Sequence, residues 1–298
     1  CTIGLASVPG EVREPEGPAS GAYKANRQGR ESGGNRVQLL EHTEAMLRLQ
    51  ETDRLWVKQI KSALMENRFR LVQQPIASLV GEDLRMFDVL VRMLDEQGQE
   101  VLPSLFMPAA ERNDLMKNID RWVIGAAMSF CASREPGALF VRLSQDTLSD
   151  ASLPAWLANQ LKTTRIEPPR IVFQIREEVA SQQIMEAVAL QEVLRSMKFL
   201  FAIEGFGLGR DTEQLLSHLS PDFVKIHGAL MQGLSADQDK QNRVKTLVDL
   251  AHGRKAITIG ERVQDANTMA VLWQLGVEFI QGYFVNAPEE IVLGSASG

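Results

Sequence analysis

From Phe69 onward, short apolar runs rich in β-branched and aromatic residues alternate with amphipathic stretches of helical period. The runs are Leu71–Leu79, Met86–Met93, Ala138–Leu143, Arg170–Ile175, Lys198–Ile203, Phe223–Ile226, Ala256–Ile259 and Phe279–Val285. Predicted helices lie between them at Ala110–Ala132, Leu153–Lys162, Glu178–Met197, Asp211–Leu219, Asp239–His252 and Asp265–Leu275. Eight strands with helical crossovers predict an α/β fold, a closed (β/α)8 barrel. Only about six residues separate Leu79 from Met86, too few for a parallel crossover, so the first two strands are expected to pair antiparallel about a Gly81-Glu82-Asp83 turn.

Ahead of the barrel the pattern changes. Residues 1–38 are broken by Pro9-Gly10, Pro15, Gly17-Pro18 and Gly29 to Gly34 and carry little periodicity. Leu40, Leu47, Leu55, Trp56, Ile60 and Leu64 then recur at helical spacing, as a linker helix packed on the barrel or a dimer seam; fewer than four clean heptads favour packing. The division expected is therefore 1–38, a linker helix over 39–66, the barrel over 67–293 and a tail over 294–298.

Composition narrows the classes. Of 298 residues 44% are hydrophobic and 23% charged, an ordinary globular balance, and no run approaches eighteen uncharged apolar residues. A cytoplasmic location without membrane insertion is the expectation. Cys1 and Cys131 cannot build a disulfide framework or a zinc site. The net charge of -6 excludes a general nucleic-acid binder, whose affinity rests on clustered Lys and Arg, so an anionic ligand needs a local positive pocket.

Function in such barrels sits where strands end. The strand ends supply Gln74-Pro75, Asp88-Val89-Leu90 with Arg92, Arg142 with Ser144, Gln174 with Glu177, Glu204-Gly205-Phe206-Gly207, Lys225 with His227, Glu261 to Gln264 and Gln281-Gly282-Tyr283. In this order they resemble the EAL-domain family of cyclic-di-GMP phosphodiesterases over about Phe69 to Pro288. Gln74-Pro75-Ile76, Phe206-Gly207-x-Gly209, Lys225-Ile226 and Gln281-Gly282-Tyr283 with Pro288 match its motifs. The resemblance implies a modified TIM barrel with one antiparallel strand. The N-terminal pieces Cys1–Ala6, Ala22–Ala25 and Gly29–Val37 resemble the end of a GGDEF domain. The signature loop of that domain is absent from the sequence, so no cyclase activity is expected.

Active EAL members hold two divalent metals with Glu, Asn and Asp at the strand ends, where the ions generate hydroxide and stabilise the phosphorus. At the matching positions this chain carries Asp88, Arg142, Gln174, Glu204, Gly205, His227 and Gln264. Arg142 has no acceptor to coordinate with. The sequence therefore predicts no metal site, no catalytic residues and a chain that is not an enzyme. Arg142, Arg176, Lys225 and Arg262 stand where they can replace the lost positive charge; the competing reading pairs Arg142 and Arg176 with Glu177, Glu204 or Glu261 and closes the pocket.

What the resemblance implies for ligand binding is better preserved. Gln74, Val89, Leu90, Arg92, Pro103, Phe106, Asp120, Arg262, Gln264, Gln281 and Pro288 match positions around cyclic-di-GMP, with Asp120 suited to a guanine edge. No cofactor is implied beyond that ligand. Ile119–Ile124, Leu139-Phe140-Val141, Pro154-x-Trp156-Leu157, Val172–Ile175 and Leu272-Trp273-Gln274 resemble most the degenerate members that act as receptors in type IV pilus control. That likeness implies a PilZ-type adaptor as partner, a role in twitching motility and a place at the cell pole. A pure interaction scaffold and a weak phosphodiesterase are the alternatives.

Overall fold

The computed structural model describes residues 2–6, 22–23, 25–27, 29–30, 33–35, 37–40, 44–81 and 84–290. By its own contacts the chain divides into Cys1–Gln59 and Ile60–Gly298. In the first unit two short strands, Ile3–Ala6 and Val37–Leu40, pair in parallel. A helix runs over Glu44–Met65 and crosses the division. The expected tail over 294–298 and the Glu82-Asp83 part of the turn lie outside the described residues. No helix among the described residues is long and apolar enough to cross a membrane.

The second unit is a closed α/β barrel. Its strands are β1 (Phe69–Ser78), β2 (Met86–Leu94), β3 (Ala138–Arg142), β4 (Ile171–Arg176), β5 (Leu200–Phe206), β6 (Phe223–Ile226), β7 (Ile257–Gly260) and β8 (Phe279–Gln281). Strands β2 to β8 pair in parallel with one another in succession, whereas β1 is antiparallel to both β2 and β8 and closes the ring. This is the one antiparallel strand expected from the short connection. Because β1 runs the other way, Gln74 lies in mid-strand and not at a strand end; its partner across the ladder is Asp88.

Local chemistry explains where the elements depart from expectation. The helix expected over Ala110–Ala132 is two helices, Pro103–Arg112 and Met116–Arg134, broken at Asp114, whose φ of 55° ends the first helical path. Strand β5 continues past Ile203 to Phe206 through an irregularity in its pairing with β6. Strand β8 stops at Gln281, because Gly282 turns at φ 154° with its α-carbon so close to Val263 that a Cβ would lie 2.2 Å from the Val263 carbonyl oxygen. Pairs of two-residue strands, Glu100–Val101 on β2 and Glu289–Glu290 on β1, extend the sheet.

Inside the barrel one ring of side chains is apolar: Ile76, Met86, Phe140, Val172, Ala202, Phe223, Ile259 and Phe279, one from each strand. Successive residues of a strand point to opposite faces, so the residue two positions nearer the mouth projects inward as well. That second ring is Gln74, Asp88, Arg142, Gln174, Glu204, Lys225, Glu261 and Gln281. The change from an apolar to a polar ring is what places the functional layer.

Candidate functional site

Five members of the polar ring form one buried network. Asp88 is its hub: Oδ1 accepts from Gln174 Nε2 at 2.7 Å, and Oδ2 accepts from Lys225 Nζ at 3.0 Å and Gln281 Nε2 at 2.8 Å. Lys225 Nζ also donates to Gln174 Oε1 at 3.2 Å, and Gln281 Nε2 to Gln74 Oε1 at 2.9 Å. Gln74 in turn donates to the Asn286 carbonyl at 3.1 Å. Burial by itself would raise the Asp88 carboxyl, but the Lys225 ammonium, then Arg142, hold it below its usual value.

The other three members, Arg142, Glu204 and Glu261, are charged. Arg142 donates through both Nε, at 2.6 Å, and Nη2 to the Glu204 carboxylate. Desolvation opposes its charge, yet Glu204, then Asp88 and Glu261, raise the guanidinium above its ordinary value. Glu261 is pushed up to about 7, chiefly by burial; Glu204 and Asp88 add to the rise, and Lys225 and Arg142 oppose it. Thus the ion-pairing part of the competing sequence reading holds for Arg142, which pairs with Glu204, whereas Arg176 lies 4.0 Å from Glu111, outside the three expected partners.

This donor set does not fit two divalent ions. Both oxygens of Asp88 are engaged by amide and ammonium donors, Glu204 is taken by Arg142, and two cations stand in the ring. Among the described residues no group of three or more His, Cys, Asp or Glu side chains could hold a metal.

Beside the mouth lies a cavity of about 390 Å3. It brings together Val89, Leu90, Arg92, Pro103 and Asp120 from the expected residues and adds Arg142, Arg176 and Asp146. Arg92 donates from Nε to Glu100 at 3.0 Å. Asp120 is buried on the helix Met116–Arg134, and its Oδ2 accepts from Ser144 N at 2.8 Å, Ser144 Oγ at 2.7 Å and Thr147 Oγ1 at 2.6 Å. Burial raises its carboxyl despite those donors. Its neighbour Arg121 points away, donating to Asp150 at 2.8 Å and lying over Trp156 at 5.7 Å.

The remaining expected residues stand elsewhere. Gln74 and Gln281 belong to the buried network. Phe106 has no exposed surface and packs edge to face on Phe69, with centroids 5.9 Å apart, so its ring serves the core. Arg262 and Gln264 are exposed on the loop after β7, and Pro288 is half-buried just before Glu289–Glu290. His227 accepts from the Ala229 N–H at 3.0 Å and so caps the short turn that follows β6. Glu177 carries a role the sequence did not reveal. Its Oε2 accepts from the backbone N–H groups of Gly207, Leu208 and Gly209 at 3.0, 3.2 and 2.9 Å, tying down the loop after β5.

A parallel barrel with one reversed strand and a polar, ion-paired mouth defines the class of ligand-handling (β/α)8 proteins. Residues 57–288 match the EAL domain model, and the chain belongs to the EAL family. It is 36% identical to the FimX EAL domain of Pseudomonas aeruginosa in a structure bound to c-di-GMP, covering 78% of this chain and 96% of that one at a TM-score of 0.75. The FimX EAL domain of Xanthomonas citri in complex with c-di-GMP is 27% identical, with 82% and 97% covered and a TM-score of 0.77.

Curated relatives include the cyclic di-GMP phosphodiesterase PdeF of Escherichia coli, 25% identical over 79% of this chain and 32% of its own length. PdeB of Shewanella oneidensis, also named a cyclic di-GMP phosphodiesterase, is 27% identical over 87% of this chain and 31% of its length. The chain thus spans about a third of these relatives. Their activity corrects one expectation. The reading that this chain is not an enzyme was built on substituted metal ligands, and it is overturned by relatives named as phosphodiesterases across most of its length.

Proposed function

We propose that this EAL domain binds cyclic-di-GMP in the cavity beside the barrel mouth and passes that signal to a protein partner. One observation carries the reading: a single cavity is lined by Arg92, Arg142 and Arg176 together with Asp120. The guanidinium N–H groups not taken by Glu204 and Glu100 match phosphate oxygens, and a carboxylate matches the donors of a guanine edge. A volume of about 390 Å3 suits a small-molecule site. The likeness to FimX domains bound to c-di-GMP supports the same ligand. It also supports the finer reading: a PilZ-type adaptor as partner, type IV pili and twitching motility as output, and a place at the cell pole. Residues 1–38 are then the end of a GGDEF domain, and 39–66 the linker to the barrel.

A second reading is hydrolysis of the same ligand, favoured by the named activity of PdeF and PdeB. Isothermal titration with cyclic-di-GMP, with and without magnesium, tests the first; a saturable binding isotherm is expected, and none at micromolar protein overturns it. Chromatography of the same mixtures for linear pGpG decides the second.

A further inference from the structure

The Asp120 carboxylate is short of free acceptors. Three donors converge on its Oδ2, from Ser144 N, Ser144 Oγ and Thr147 Oγ1, all within 2.8 Å. An ionised carboxylate offers about four lone-pair sites in all, two on each oxygen, so Oδ2 is saturated and Oδ1 is left for a ligand. The Watson–Crick edge of guanine presents donors on both N1 and the 2-amino group. One free oxygen cannot meet both in the parallel, two-bond geometry that a whole carboxylate provides.

A second carboxylate lines the same cavity. Asp146 sits in the first turn of the short helix Gln145–Leu148, two residues beyond the Ser144 that binds Asp120. Its Oδ2 is buried and has no hydrogen-bond partner among the described residues. An acceptor left in that state bears the desolvation penalty of burial without a hydrogen bond to offset it. It is close enough to Asp120 that its charge adds to the rise of that carboxyl. The last torsion of an aspartate is broad and nearly two-fold, so the carboxylate turns from the wall toward the cavity at little cost.

The geometry points to Asp146 as a specificity-determining residue that shares the guanine edge with Asp120: the free Asp120 Oδ1 meets N1–H, and one oxygen of Asp146 meets the 2-amino group. This rests on the cyclic-di-GMP reading above and deepens it. The adjacent guanidinium groups hold the phosphates, so the two acids select the base. Placing the second acid on the Ser144–Leu148 turn also couples its position to Asp120 through the Ser144 and Thr147 hydrogen bonds.

The test compares cyclic-di-GMP with cyclic-di-IMP, in which each 2-amino group is replaced by hydrogen, by titration calorimetry on the whole chain. The wild-type protein is expected to prefer the guanine ligand at least tenfold. Asp146→Ala should cut that ratio about tenfold, and Asp146→Asn, which keeps one carbonyl acceptor, should retain part of it. A purely structural role for Asp146 would weaken both ligands alike and leave the ratio unchanged. An unchanged ratio in Asp146→Ala overturns the inference, as does equal binding of both ligands by the wild type. Absence of any dinucleotide binding by the wild type overturns the function itself, a distinct result.

Discussion

Lys225 Nζ lies 3.0 Å from Asp88 Oδ2, with the side chains 1% and 4% exposed. Two opposite charges at the base of the mouth thus neutralise each other in the interior, joined by Gln174 and Gln281. Losing one partner leaves the other buried and uncompensated, which costs about 3–5 kcal/mol. Lys225→Met should therefore lower stability by that amount in urea denaturation. Asp88→Leu combined with Lys225→Met should cost clearly less than the two single changes added together. Additive losses would show that the pair is not coupled.

The Glu177 carboxylate gathers three backbone donors of the loop over Gly207–Gly209. Glu177→Ala strands those N–H groups and should destabilise by about 2 kcal/mol or more. The loss should be local first, seen as faster amide exchange at Gly207, Leu208 and Gly209 than in the strands of the barrel.

Glu261 gives the stability a pH dependence. Its folded value of about 7 stands above its ordinary 4.5, so between those values the folded state holds more of its proton than the unfolded chain. Stability from this group is fully present below about pH 4.5 and falls as pH rises to about 7. Asp120 acts in the same direction from its own ordinary value upward. Glu261→Gln should remove this slope and raise the midpoint of denaturation at pH 8 relative to the wild type. An unchanged slope between pH 5 and 7 would place the effect elsewhere.

Gly282 admits no side chain. A Cβ there would meet the Val263 carbonyl oxygen at 2.2 Å and its nitrogen at 2.4 Å, both backbone atoms that cannot turn aside. Gly282→Ala should lower stability by at least about 2 kcal/mol and loosen the hydrogen bonds from Val263 N to Gln281 O and from Phe284 N to Val263 O. Thermal denaturation reads the first effect and amide exchange the second.

Binding should follow the cavity. Arg92→Ala is expected to weaken cyclic-di-GMP at least tenfold in titration, whereas Arg262→Ala, on an exposed loop outside the cavity, should change it less than threefold. Reversal of that order would move the phosphate site to the loop after β7.

The apolar runs alone determined the barrel, because alternation with period two and helical crossovers are local signals, and the short link before Met86 determined the reversed strand. They also determined which residues crown the seven parallel strands, since each of those mouth residues follows an apolar one by two positions, as Lys225 follows Phe223; only Gln74, on the reversed strand, precedes its apolar neighbour Ile76. Tertiary structure alone decided which of them pair. Asp88 meets Gln174 across 86 residues and Lys225 across 137, separations over which no periodicity speaks. The same holds for Phe106, drawn into the core by Phe69, and for Asp120, whose second oxygen is consumed by Ser144 and Thr147. Hydrogen bonding is short-ranged and directional, so the chain's order sets the cast at the mouth and only the closed ring assigns its partners.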